Sequence, residues 1–234
     1  MRLFDFDRAP NPRRVRIFLA EKQIEIPRIN VNLFRREQLS PGFLAINPGG
    51  TVPVLQLDDG TDLGECLAIC HYLEAMHPEP ALFGKTARQQ ALTLMWANIV
   101  DNEGMSAVAE VLRNLSPGFR DHSLPGPLAC AQIPALIERG RQRAEQFFDR
   151  VSQQLEHQPW LAGEDYSYAD ISLLVTTDFA GWVDIDPMQA RPSLKHWYAR
   201  GAARPAMRAS CAGPIRRRSP QPLPALSAVW KWCR

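Results

Sequence analysis

The sequence predicts an α/β domain of order β-α-β-α-β-β-α over residues 1–80, followed by an all-α helical bundle over residues 87–210. Three observations predict it. Strand and helix patterns alternate through the first 80 residues, whereas only helical periodicity runs from about residue 86 to 204. A strand pattern at 52–57, the turn Asp58-Asp59-Gly60 and a second short strand at 61–63 then form a hairpin where a repeated βαβ unit would carry another helix.

Taken in order, residues 3–6 are a short apolar strand. Asn11 as N-cap and Pro12 at the first helical position open a helix over 12–22, in which Val15, Phe18 and Leu19 recur at helical spacing. Ile29, Val31 and Leu33 alternate with Arg28, Asn30 and Asn32, so a second strand follows, parallel to the first in a right-handed βαβ unit. Residues 38–45 fill a short helical join. After the hairpin, Leu67, Cys70, Tyr72 and Leu73 mark a helix over 66–77, which His77-Pro78-Glu79-Pro80 ends. Residues 81–86 read as a linker. Helices are expected over 87–112, 134–156 and 169–183, the second with Ile137, Ala144, Phe147, Phe148, Val151 and Leu155 on one side. Ser167 and Asp170 fit a capping box, which gives Asp170 a folding role. Residues 211–234 have four prolines, Arg216-Arg217-Arg218 and no periodicity, and read as an irregular basic tail.

Composition bounds the function. The chain has 234 residues, 45% hydrophobic and 22% charged, which suits folded cores and excludes fibrous, collagenous and low-complexity classes. Lys and Arg number 27 against 25 Asp and Glu, and five of the basic residues lie in the tail; the rest carries 22 against 25, so no nucleic-acid partner is expected. No apolar run approaches the ~20 residues of a membrane span, and the N-terminus lacks the apolar stretch of a secretory signal. A cytoplasmic protein without a membrane partner is expected. Cys66 and Cys70 share a helix face, but a metal there needs two more ligands, so they read as small buried thiols and no metal is expected.

Pro53 lies inside an apolar strand pattern, where its missing N–H would break a central ladder. Two readings are equal: an edge-strand residue, or a cis proline that turns the N–H and C=O of Val52 outward for an extended peptide.

Asn47-Pro48-Gly49-Gly50-Thr51-Val52-Pro53-Val54-Leu55, then Gly64-Glu65-Cys66-Leu67-Ala68-Ile69 and Tyr72-Leu73, resemble the glutathione transferases, and Tyr168-Ala169-Asp170-Ile171 resembles the helical-domain signature of that superfamily. The likeness spans roughly residues 1–205. It implies a thioredoxin-like first domain, a helical second domain, a homodimer, and glutathione as co-substrate. On that resemblance Val52 holds the cysteinyl part by its backbone, Glu65 and the residue after it hold the γ-glutamyl end, and Gln38 contacts the glycyl end. Cys66 stands where the family has Ser; Thr51 stands at a position that is often Lys.

Residues 1–39 contain no Ser, Thr, Tyr or Cys, so the three familiar activating residue types are excluded there. Asn11 remains, in Ala9-Pro10-Asn11-Pro12, which resembles the Thr-Pro-Asn-Gly motif of the bacterial nu-class and yeast prion-related branch with Ala9 in place of Thr. Glu37-Gln38 before Pro41-Gly42-Phe43-Leu44 matches the same branch. A helix N-terminus and an amide N–H can stabilise a thiolate without a base. The resemblance therefore implies a transferase joining glutathione to a small hydrophobic electrophile. The alternatives are a glutathione-dependent disulfide or peroxide reductase, and a non-catalytic glutathione- or protein-binding module. A redox role for Cys66, at a helix N-terminus, is the sharper rival of a passive substitution.

Overall fold

The computed structural model describes residues 1–210; the expected tail lies outside them. Strand β1 (Arg2–Asp5) pairs in parallel with β2 (Arg28–Asn30) and antiparallel with β3 (Val54–Gln56), which pairs antiparallel with β4 (Asp62–Leu63), giving the order β2-β1-β3-β4. Helices α1 (Pro10–Glu21), the short α2 (Pro41–Leu44) and α3 (Cys66–Met76) complete the expected β-α-β-α-β-β-α order. The period-2 pattern splits the sheet's faces. Leu3 and Leu55 join α1 and α3 in the large core, while Phe4 and Val54 point to a smaller cluster with Phe6, Val31, Phe43 and Val52.

Several boundaries move for local reasons. Helix α1 begins at Pro10 with Ala9 as N-cap, because the Ala9 carbonyl already accepts from Arg13 N–H at 3.3 Å; Asn11 is therefore the second helical residue and not the cap. The second strand stops at Asn30, since Asn32 Oδ1 accepts from the N–H groups of Phe34 and Arg35 and starts a 3-10 turn. The third begins at Val54: the Val52-Pro53 bond is cis and lies ahead of the ladder, and β3 is interior, so Pro53 is no edge-strand residue.

The second domain runs through α4 (Ala87–Ile99), a π-helical turn (Val100–Met105), α5 (Ser106–Leu115), α6 (Ala135–His157), α7 (Tyr168–Ala180), α8 (Pro192–Ala202) and α9 (Pro205–Ala209). The single helix expected over 87–112 is thus interrupted by one widened turn. There Ser106 Oγ donates to the carbonyls of Asp101 at 3.0 Å and Asn102 at 2.7 Å. Gly104 lets the turn reach α6: a Cβ on it would stand 2.4 Å from the Phe147 ring. Asp170 has the expected folding role, accepting from Ser167 N–H at 3.0 Å, Ser167 Oγ at 2.9 Å, Leu161 N–H at 2.9 Å and the Trp197 indole at 2.8 Å, all in the core.

The domains share one continuous core. Phe83, from the stretch expected as linker, stacks on Tyr168 of α7 with centroids 5.2 Å apart, and Phe18 of α1 meets both edge-on. Lys22, just past α1, has a fully buried side chain that donates to the carbonyls of His77 at 2.6 Å and Pro80 at 2.7 Å and pairs with Glu74 at 2.6 Å.

Candidate functional site

The start of α1, the loop before β3 and the start of α3 carry most of the expected site residues. Asn11 is half-buried. Its Oδ1 accepts from Arg14 Nη2 at 2.7 Å, and its backbone carbonyl accepts from the Cys66 thiol at 3.2 Å. A guanidinium only donates, so the carboxamide oxygen must face Arg14 and the NH₂ faces away. Among the described residues that NH₂ has no hydrogen-bond partner.

Val52 follows a turn built for it. Gly50 has φ +58°, and a Cβ there would sit 3.0 Å from Leu39, so the position demands glycine. Asn47 Nδ2 donates to the Thr51 carbonyl at 2.9 Å and to its hydroxyl at 3.0 Å, which engages Thr51 within the turn. Among the described residues neither the N–H nor the C=O of Val52 is hydrogen-bonded. Gln38 sits in the 3-10 turn Glu37–Leu39, with its side-chain oxygen buried and unpartnered.

Glu65 is exposed and caps α3 with φ +60° and ψ +123°, a sparsely populated backbone for a residue with a Cβ, of the kind that clusters at ligand sites. Among the described residues its carboxylate has no ion-pair partner. The side chain of Cys66 turns inward and is 4% exposed. Burial pushes its thiol up to about 11, and neighbouring Arg14 offsets only part of this. That corrects the redox reading of Cys66: the thiol is buried, protonated and occupied, and only the backbone N–H is left for a ligand. Cys70 is buried and raised as well, by burial first.

No motif in the sequence marks Arg14 as a partner of Asn11. It is 4% exposed, and its Nη1 donates to the Asp101 carboxylate and, at 3.5 Å, to Ser172 Oγ. Burial opposes the guanidinium charge, and the Asp101 carboxylate paired with it keeps it protonated. The available signal was its place four residues before Phe18, on the core-facing side of α1.

On the helical side of the seam, Asp101 pairs with Arg14, Glu103 with Arg150 at 2.6 Å, and Met105 is buried in the core. Residues 116–134, between α5 and α6, instead reach the first domain. Arg36 Nη1 lies 2.9 Å from His122 Nε2, and a Cβ on Gly126 would be 3.0 Å from the Gly49 carbonyl. Exposed Leu124 and Leu128 lie on this crossing segment. Of two cavities, about 260 Å³ beside Asp178 and Tyr198 and about 320 Å³ over Phe4, Val31 and Phe43, neither is lined by Asn11, Val52 or Glu65.

Comparison with known proteins bears on both domains. Residues 9–76 match the model of the glutathione S-transferase N-terminal domain, and residues 134–200 that of the C-terminal domain. Glutathione S-transferase 2 of Saccharomyces cerevisiae is 34% identical over 214 residues, covering 89% of this chain and 88% of that one. The disulfide-bond oxidoreductase YfcG of Escherichia coli is 28% identical, covering 86% and 90%. The crystal structure of Gtt2 from Saccharomyces cerevisiae superposes with a TM-score of 0.83 at 32% identity, over 90% of this chain and all of that one. Both domain models matched in order, together with a relative of this identity across nearly the whole chain, place it: the chain belongs to the glutathione S-transferase family.

Proposed function

We propose that the chain is a glutathione transferase in which Asn11 and the N-terminus of α1 stabilise the glutathione thiolate for attack on a small hydrophobic electrophile. The thiol proton leaves to solvent. The sulfur then forms a bond to the electrophilic carbon as the leaving group departs with its electron pair, or as the electrons move into the acceptor. The observation that carries this reading is the fixed amide: with its oxygen held by Arg14, the Asn11 NH₂ is left to donate to a sulfur anion. Val52 offers both backbone groups to the cysteinyl unit, and the Glu65 carboxylate suits the γ-glutamyl ammonium. The N–H groups from Cys66 onward suit the γ-glutamyl carboxylate. Gln38 and Thr51 are assigned to the glycyl side, a homodimer to the assembly, and the cytoplasm to its place of action. The Asn-centred motif favours the nu-class branch.

Relatedness to a disulfide-bond oxidoreductase supports a second reading, in which the same thiolate attacks a disulfide. One experiment addresses both: the pH dependence of the ultraviolet absorbance of bound glutathione, for the native protein and Asn11→Ala, followed by turnover with an aryl halide and with a glutathione mixed disulfide. A lowered thiol pKa that Asn11→Ala restores is expected. Binding with an unshifted thiol refutes activation by Asn11, and turnover of the disulfide alone replaces the transferase reading with the reductase one.

A further inference from the structure

We propose that Arg14 is a positioning residue for Asn11 and that Asp101, supplied by the helical domain, holds Arg14 in place, so that the thiol-activating amide is set across the domain seam. The proposal rests on the reading of Asn11 as thiol donor and adds to it what decides which end of that amide meets the sulfur.

A carboxamide can turn over. With the NH₂ toward a thiolate it stabilises the anion, and with the oxygen there it repels it. On this chain a cation settles the choice, because Arg14 Nη2 occupies Oδ1 at 2.7 Å. The Cys66 thiol pins the same residue from its backbone, donating to the Asn11 carbonyl at 3.2 Å.

The pattern of contacts separates this arginine from one that merely joins two domains. Arg204 grips Glu21 with Nε at 2.6 Å and Nη2 at 2.8 Å, the parallel fork typical of a structural ion pair. Arg14 splits its fork instead: Nη1 serves Asp101 and Ser172, Nη2 serves Asn11, and Nε is buried with no partner. A geometry that leaves a buried donor unmet while reaching an amide is poorly suited to pairing alone. Asp101 stands at the start of the π-helical turn, a local feature frequent at functional sites, and its side chain remains 31% exposed.

The test is a set of variants read by the pH midpoint of bound-thiol ionisation, with affinity for S-methylglutathione, which has no ionisable thiol, as the binding control. Asp101→Asn and Arg14→Met should each raise the midpoint by at least half of the rise caused by Asn11→Ala, with little change in S-methylglutathione affinity. Placed in the Asn11→Ala background, neither should add a further rise. Arg14→Lys, which keeps the charge and loses the fork, should behave like Arg14→Met. The proposal is overturned if Arg14→Met raises the midpoint equally with and without Asn11, or if Arg14→Lys restores the native midpoint, since Arg14 would then act as a bare charge. It is also overturned if Asp101→Asn, the mild variant at a part-exposed site that carries the test should Arg14→Met not fold, leaves the midpoint unmoved. An unmoved midpoint in Asn11→Ala alone would instead remove the reading of Asn11 on which the proposal stands.

Discussion

Replacing Asp170 by alanine tests the distinction between folding and chemistry in this chain. The carboxylate accepts three N–H donors, from Leu161, Ser167 and the Trp197 indole, besides the Ser167 hydroxyl, and Trp197 is itself fully buried. Alanine strands those three N–H groups away from water at ~1–3 kcal/mol each, while the hydroxyl can turn to a new partner. Some of the loss is returned, because burial raises the pKa of the Asp170 carboxyl against the pull of its hydrogen bonds, so the charge itself is costly to keep there. The net expectation is a loss of about 3–5 kcal/mol, a large part of the ~5–15 kcal/mol that holds most proteins folded, and a fall in Tm on the order of 10 °C. Asp170→Asn keeps the shape and should lose about half as much. The assay is urea unfolding at fixed protein concentration, paired with glutathione binding per folded molecule, which should not change. A variant within ~1 kcal/mol of the native protein that has lost binding would refute the folding assignment.

Three further outcomes are expected. Gly104→Ala should destabilise by about 1–2 kcal/mol, because forcing a Cβ to 2.4 Å from the buried Phe147 ring costs more than the ~1 kcal/mol alanine gains in a helix; equal or greater stability would show that the π-helical turn tolerates a side chain. Cys66 and Cys70 should resist an aromatic disulfide reagent at pH 8 in the native state while half-buried Cys130 reacts, as read by peptide mass mapping. Because the Cys66 thiol ionises near 9 when unfolded and about 11 when folded, its contribution is fully present below about pH 9. It is lost as pH rises through 11, by about 3 kcal/mol, and flat stability between those values would contradict its burial.

Much of the fold was legible because periodicity and turn chemistry act locally. Val15, Phe18 and Leu19 gave away α1, Asp58-Asp59-Gly60 the hairpin, and Ser167 with Asp170 the start of α7. The failures occur where a distant partner decides. Asn11 read as an N-cap because Asn before Pro is a strong local signal, yet Arg14 captures its oxygen and the Ala9 carbonyl starts the helix. The widened turn at 100–105 leaves the spacing of buried residues almost unchanged, so periodicity could not reveal it. The role of Asp101 has no local signal, because its partner lies 87 residues away in sequence. Helices α8 and α9 were not resolved as separate elements inside the long helical stretch, although prolines open both. The residues of the motif were found by resemblance, whereas the network that orients them needed three dimensions.

The buried ammonium of Lys22 bears on how the molecule can move. It clamps the carbonyls of His77 and Pro80, where the chain leaves the first domain, and Leu82 and Phe83 just beyond are sunk in the shared core. Swinging one domain away from the other would pull Phe18 off Phe83 and Tyr168 and expose aromatic surface, at a cost of several kcal/mol. The crossover between the domains is therefore a weld and not a hinge. Residues 116–134 reach the first domain from outside that weld, at Arg36 and Gly49.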